Sequence, residues 1–214
     1  MDNTLDNAFI TEAKEKICSA FNLKDKLKYL GHGQEGIVFC NSFYVYKYFY
    51  RANLEGVSED LFKHLTGILQ IMERKACSEM FKILFDGGNL FVYYPNKNSS
   101  MFRPLPRQAY ISLIRDYRSR GIVYSNVRTK NLCVTKSDEL FFCDIGKAIL
   151  PWNHDEFLVM VLALFTIYML QKNNSFLDNE NTFLTRKNLC IDNLIDFLGD
   201  LTVKTEYENF LAAI

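Results

Sequence analysis

"GIVYSNVRTKNLCV", residues 121–134, closes one predicted element and opens the next. The preceding "RQAYISLIRDYRSRG", residues 107–121, has the pattern of a helix stopped by Gly121. The last residues of the quoted stretch begin a strand, "NLCVT", which the turn "KSD" returns as "ELFFCD". Such a hairpin brings Asn131 and Asp144 to its one open end. A carboxamide and a carboxylate side by side suit Mg²⁺, which takes one or two protein oxygens plus substrate phosphates. Gly146, just beyond, permits a sharp turn. An ordinary hairpin with polar ends has the same pattern.

Two earlier features carry chemistry of the same kind. "GHGQEGIV", residues 31–38, is a glycine-rich stretch followed by strand-like residues rather than a helix. The dinucleotide-fold reading requires a helix there, so it fails. A glycine-rich turn between antiparallel strands can instead lay backbone N–H groups over phosphates; it can equally be a hairpin without a ligand. Lys47 stands in the aromatic strand "YVYKYFY", residues 44–50, on the same face as Val45 and Phe49. If that face is interior, the ammonium needs an anion. An edge strand would let it point to water.

Around these lie the remaining elements. Apolar residues at helical spacing (Leu5, Phe9, Ala13, Ile17, Ala20, Phe21) predict an amphipathic helix within residues 5–28. A second helix follows Ser58, a candidate N-cap, with Leu61, Leu65, Ile68, Leu69 and Met72 on one face. Asp86-Gly87-Gly88-Asn89 predicts a hairpin. "NKNSSMFRPLP", residues 96–106, is the candidate boundary between halves, and "NNSFLDNENT", residues 173–182, a loop. "FLVMVLALFTIYML", residues 157–170, is short for a bilayer span and predicts a buried central helix. Helical patterns continue at 191–201 and 206–214.

The 214 residues fit one domain with two subregions. An apolar content of 49 % rules against disorder. The 25 basic and 25 acidic side chains cancel, which removes any general pull toward membrane or nucleic acid. The six cysteines are scattered, without the close pairs of a zinc site, and are expected to be reduced, mostly buried thiols of a cytoplasmic protein.

Taken in order, the segments resemble the protein kinase-like superfamily over about residues 27–172. "GHGQEGIV" matches the glycine-rich loop, "VYK" the strand lysine, "YYPN" the hinge between lobes, "GIVYSNVRTKNLCV" the catalytic loop and "CDIG" the metal-binding motif. The resemblance implies an α+β, two-lobed protein kinase-like fold. It has an N-terminal helical extension (1–26), a small β-rich N-lobe (27–97) and a shortened, mostly helical C-lobe (98–214). It implies ATP and Mg²⁺ as cofactors. Gly31, Gly33, Gly36, Val38, Lys47 and Tyr94 would bind the nucleotide, and Asn131 and Asp144 the metal.

The departures are specific. Tyr124, Ser125 and Asn126 occupy the His-Arg-Asp signature, so a neutral amide stands at the base position. Arg128 replaces the family lysine. Only about ten residues separate Gly146 from the buried helix, and no Ala-Pro-Glu follows, which removes the usual protein-substrate platform. Glu59 and Glu73 are the helix candidates to pair with Lys47, and Asp155 to cap the buried helix and brace the catalytic loop. Between Arg103 and Lys130 seven basic residues face one acid, Asp116. That is either a solvated face or a basic surface for an anionic substrate or protein partner. The implied activity is transfer of the ATP γ-phosphate to an unknown acceptor. The alternative is a pseudokinase serving as a regulatory or interaction module.

Overall fold

The computed structural model describes residues 6–24, 26–50, 57–173, 184–185 and 188–214. The chain divides into two compact units, residues 1–70 with 78–97, and residues 71–77 with 98–214.

In the first unit, helix α1 (Asn7–Ala20) is capped by Asp6, whose carboxylate accepts from the Ala8 amide. It is shorter than the expected 5–28, and Leu5 lies outside the described residues. Asn22 takes φ 49°, which asparagine tolerates, and the Leu23 and Asn22 amides turn back to the Cys18 and Ser19 carbonyls. That closure satisfies the terminal carbonyls and ends the helix at Ala20.

Five antiparallel strands follow, β1 (Lys28–His32), β2 (Ile37–Cys40), β3 (Tyr44–Tyr48), β4 (Lys82–Asp86) and β5 (Asn89–Pro95), ordered β1-β2-β3-β5-β4. Period-two alternation gives the sheet two faces. On one, Ile37, Phe39, Tyr46, Tyr48 and Phe91 pack with Ala13 and Ile17 of α1. Burying Ile17 alone contributes about 1.5–3 kcal/mol. The other face carries Val38, Lys47 and Val92 in register across three strands.

Helix α2 (Val57–Arg74) joins β3 to β4 and buries Leu61, Leu65, Ile68 and Met72 as its spacing requires. It starts at Val57, so Ser58 lies within the first turn instead of capping it; its side chain is outside the described residues.

The second unit is built around α3 (Arg107–Arg120) and α4 (His154–Lys172). Gly121 ends α3 at φ 70°, and a Cβ there would come within 3.3 Å of Ile71. Between the helices run β6 (Ser100–Met101), β7 (Ile122–Tyr124), the β8 (Leu132–Val134) and β9 (Leu140–Phe142) hairpin, and β10 (Ile149–Pro151). By length and composition α4 could cross a membrane. In this unit its Met160, Val161, Leu164 and Phe165 are fully buried. Among the described residues two further helices follow, α5 (Ile191–Leu198) and α6 (Thr202–Ala212), with Tyr207 and Phe210 of α6 packed on Phe165. Most of the expected 173–182 loop lies outside the described residues.

A small antiparallel sheet with one helix between its strands, followed by a helical part with an embedded hairpin, makes this an α+β, kinase-like fold.

Candidate functional site

The glycine turn joins β1 to β2 as expected, with Gly31 opposite Val38 and the Gly33 amide donating to the Gly36 carbonyl at 2.9 Å. Gly36 lies against the next strand. A Cβ there would sit 2.5 Å from the Tyr48 carbonyl oxygen and 3.4 Å from Lys47 Cε. Close backbone approach, not turn flexibility, therefore requires glycine at this position.

Lys47 is the penultimate residue of β3, a central strand, and is 4 % exposed. Val45 and Phe49, on the same face, are buried too, so the interior reading holds over an edge lysine. The ammonium lies 4.6 Å from the Phe49 ring centroid. The carboxylate placed against it is Glu35, at 3.5 Å. Glu59 and Glu73, the helix candidates, are both exposed, and the turn supplies an anion beside Lys47. Val38 and Tyr94 lie on the same sheet face, Val38 directly opposite Lys47 and Tyr94 opposite Val45. Asn96 fixes the end of β5, its amides donating to the Phe43 and Asn41 carbonyls at 2.8 and 2.7 Å.

In the second unit the β8–β9 register sets Leu132 opposite Phe142, which brings Asn131 and Asp144 to one end of the hairpin. The Cys143 amide donates to the Asn131 carbonyl at 2.9 Å. Asn131 is buried, and its Nδ2 donates to the Asn126 carbonyl at 2.9 Å. A carbonyl can only accept, so this bond fixes the amide orientation and leaves Oδ1 as the side-chain atom that could meet a cation. Asp144 is half-buried. Among the described residues no three His, Cys, Asp or Glu side chains gather as a metal cluster. An Asn–Asp pair fits Mg²⁺ only where phosphates complete the shell.

Asn126 is exposed, and Arg128 is half-buried. One guanidinium nitrogen of Arg128, Nη1, is buried with no hydrogen-bond partner among the described residues. A buried, unmatched cationic donor is costly, and an anion would satisfy it.

Tyr124 carries a role that sequence reading missed. Its hydroxyl donates to the Asp144 carbonyl at 3.0 Å, and its ring stacks on Phe142 at 3.8 Å. The tyrosine thus braces the backbone at Asp144. Burial, first among its causes, pushes the neighbouring Tyr117 hydroxyl well above the usual tyrosine range. A hydrogen bond with Cys133, then burial, pushes the Cys143 thiol up as well. None of the six cysteines forms a disulfide, and all six are half-buried, not mostly core as expected; Cys40 and Cys133 fall on the less covered faces of their strands.

The short segment after Gly146 folds as a strand. β10 pairs with β7, Ile149 opposite Tyr124, and the Ala148 carbonyl accepts from the Ser125 amide at 2.8 Å. Residues 147–153 thereby pin the catalytic-type loop directly. Asp155 does not cap α4; Asn153 does, accepting from the Asp155 and Glu156 amides at 3.0 and 3.1 Å. The chain is extended at Asn153, one residue before the helix, which is where a cap must stand, whereas Asp155 is already helical and exposed.

The basic stretch is largely engaged within the unit. Arg103 pairs with Asp138 and Arg120 with Asp116. Arg107 donates to the Asn209 carbonyl and Arg118 to the Ile214 carbonyl, satisfying the C-terminal end of α6. Arg115 and Lys130 are exposed.

No family model matches the chain, and no curated protein matches it. Solved structures of WbdD follow a similar course. A co-crystal structure of WbdD and the kinase inhibitor LY294002 is 13 % identical over 86 % of this chain and 44 % of that one, with a TM-score of 0.49. A 2.2 Å crystal structure of WbdD is 14 % identical over 86 % of this chain and 50 % of that one, with a TM-score of 0.47. This chain therefore spans half or less of the length of those chains.

Proposed function

We propose that this chain binds ATP with Mg²⁺ and transfers the γ-phosphate to an acceptor. The observation that carries the reading is Lys47: a buried ammonium on the sheet face opposite α1, under a glycine turn pressed onto its strand. An ammonium held there suits phosphate better than water. On this reading the turn's backbone covers the phosphates, and Val38 and Tyr94 flank the base. Asn131 Oδ1 and Asp144 hold Mg²⁺, and Arg128 Nη1 meets the transferred group. The chemistry a cation held by Asn131 and Asp144 would supply is neutralisation of phosphate charge. Asn126 would orient the acceptor hydroxyl by hydrogen bonding but cannot take its proton. The acceptor is expected to be anionic or to sit beside Arg115 and Lys130, and the working compartment to be the cytoplasm.

Asn126 itself favours a second reading, a pseudokinase that retains the fold for regulation or interaction. The test is thermal unfolding with ATP, with and without Mg²⁺, on wild type and Asp144→Ala. Ligand at a hundred times its Kd stabilises by about 2.7 kcal/mol. A Mg²⁺-dependent shift lost in Asp144→Ala is the expected result, and no shift under any condition refutes nucleotide binding. Label transfer by wild type, preserved or raised in Asn126→Asp, then separates the two readings.

A further inference from the structure

The glycine turn carries its own anion. Glu35 lies 3.5 Å from Lys47 Nζ, with side-chain exposures of 34 % and 5 % respectively. The contact is held by the turn's construction. The Gly33–Gly36 hydrogen bond closes the turn, and the Tyr50 hydroxyl donates to the Gly33 carbonyl at 3.0 Å. Phe9 of α1 packs edge-on against the Tyr50 ring at 4.9 Å. Gly36, lacking a Cβ, lets this closed turn lie on the Tyr48 backbone, one residue from Lys47.

We infer that Glu35 is an internal counter-ion which the phosphates of a bound nucleotide must displace from Lys47, so that affinity is set by exchanging a carboxylate for a phosphate. The inference rests on the nucleotide reading above. Its physical basis is that two anions crowded on one buried ammonium repel each other. The wild-type chain therefore surrenders an ion pair whenever a phosphate takes its place. A ligand without phosphates leaves the pair intact.

Glu35→Gln keeps the size and polarity of the side chain and removes its charge. The experiment is calorimetric titration of ATP with Mg²⁺, and separately of adenosine, into wild type, Glu35→Gln, Lys47→Ala and the double variant. Glu35→Gln is expected to bind ATP about two- to fivefold more tightly, the worth of one partly exposed ion pair. Adenosine binding should not change, and the gain should vanish in the Lys47→Ala background, because Glu35 acts through Lys47. ATP binding by Glu35→Gln but not by wild type would overturn nucleotide binding by the natural chain, with the carboxylate as the group that excludes it. Wild-type binding with an equal or weaker Glu35→Gln overturns the inference and leaves the nucleotide reading standing. So does a gain that persists without Lys47 or extends to adenosine. ATP binding to none of the four proteins overturns both.

Discussion

Gly36→Ala tests the packing that brings the glycine turn onto β3. The added methyl would meet the Tyr48 carbonyl oxygen at 2.5 Å and its carbon at 3.2 Å. The oxygen contact is about 0.8 Å short of a comfortable C···O approach of roughly 3.3 Å. Neither atom can swing aside, since both are backbone of a strand bonded on either side to β2 and β5. The turn or the strand must shift, and overpacking of that kind costs about 1–3 kcal/mol. For a chain of this length each kcal/mol moves Tm by roughly 2–4 °C, so the melt should fall by about 2–12 °C. Gly33→Ala is the matched control, because nothing lies within 4 Å of its Cβ position. It should stay within about 0.5 kcal/mol of wild type. Circular dichroism melts of the three proteins decide the matter. A Gly36→Ala melt within error of wild type, or an equal loss in Gly33→Ala, would refute the close approach.

Two further substitutions probe the second unit. Tyr124→Phe removes the hydroxyl bond to the Asp144 carbonyl while keeping the stack on Phe142, and should cost about 1 kcal/mol in chemical denaturation; an unchanged midpoint would mean the brace carries no weight. Asn153→Ala should cost about 1 kcal/mol through loss of the α4 cap, whereas Asp155→Ala should cost only a few tenths through the helix dipole. Urea melts giving the reverse order would return the cap to Asp155.

Much of the fold was legible because its periodicities are local. Alternation along β3 separates Lys47 from Tyr46 and Tyr48, and helical spacing marks Leu61, Leu65 and Ile68. The hairpin at Asp86–Asn89 and the stop at Gly121 follow from turn chemistry. Element ends were less legible. The end of α1 depends on Asn22 adopting a left-handed conformation, which its neighbours do not announce. Strand β10 has three residues and no alternation to display; it is a strand only because β7 lies beside it. The basic stretch misled for a similar reason. The spacing of Arg107 and Arg118 does not reveal that the carbonyls at the end of α6 are within their reach.

The site was legible as residue types in order, but not as pairings. Asn131 and Asp144 could be placed together because a hairpin fixes their relation. Glu35 was missed because the partner of Lys47 was sought on a helix, whereas a charged residue inside the glycine turn is nearer in space. Tyr124 counted only as a departure until its hydroxyl was seen on the Asp144 carbonyl. These findings share a direction. The unusual positions mostly have local replacements: Tyr124 braces Asp144, β10 pins the loop where a longer segment is absent, and Glu35 neutralises Lys47. Asn126 has no acid beside it in its own loop, since residues 124–131 contain none. On the proposed reading positioning would be kept while general-base catalysis would be lost, a factor of about 10²–10⁴. In phosphoryl transfer, positioning and electrostatics supply most of the acceleration. A phosphotransferase built on the proposed reading is expected to be slow, and the rate gained by Asn126→Asp would separate it from a scaffold without chemistry.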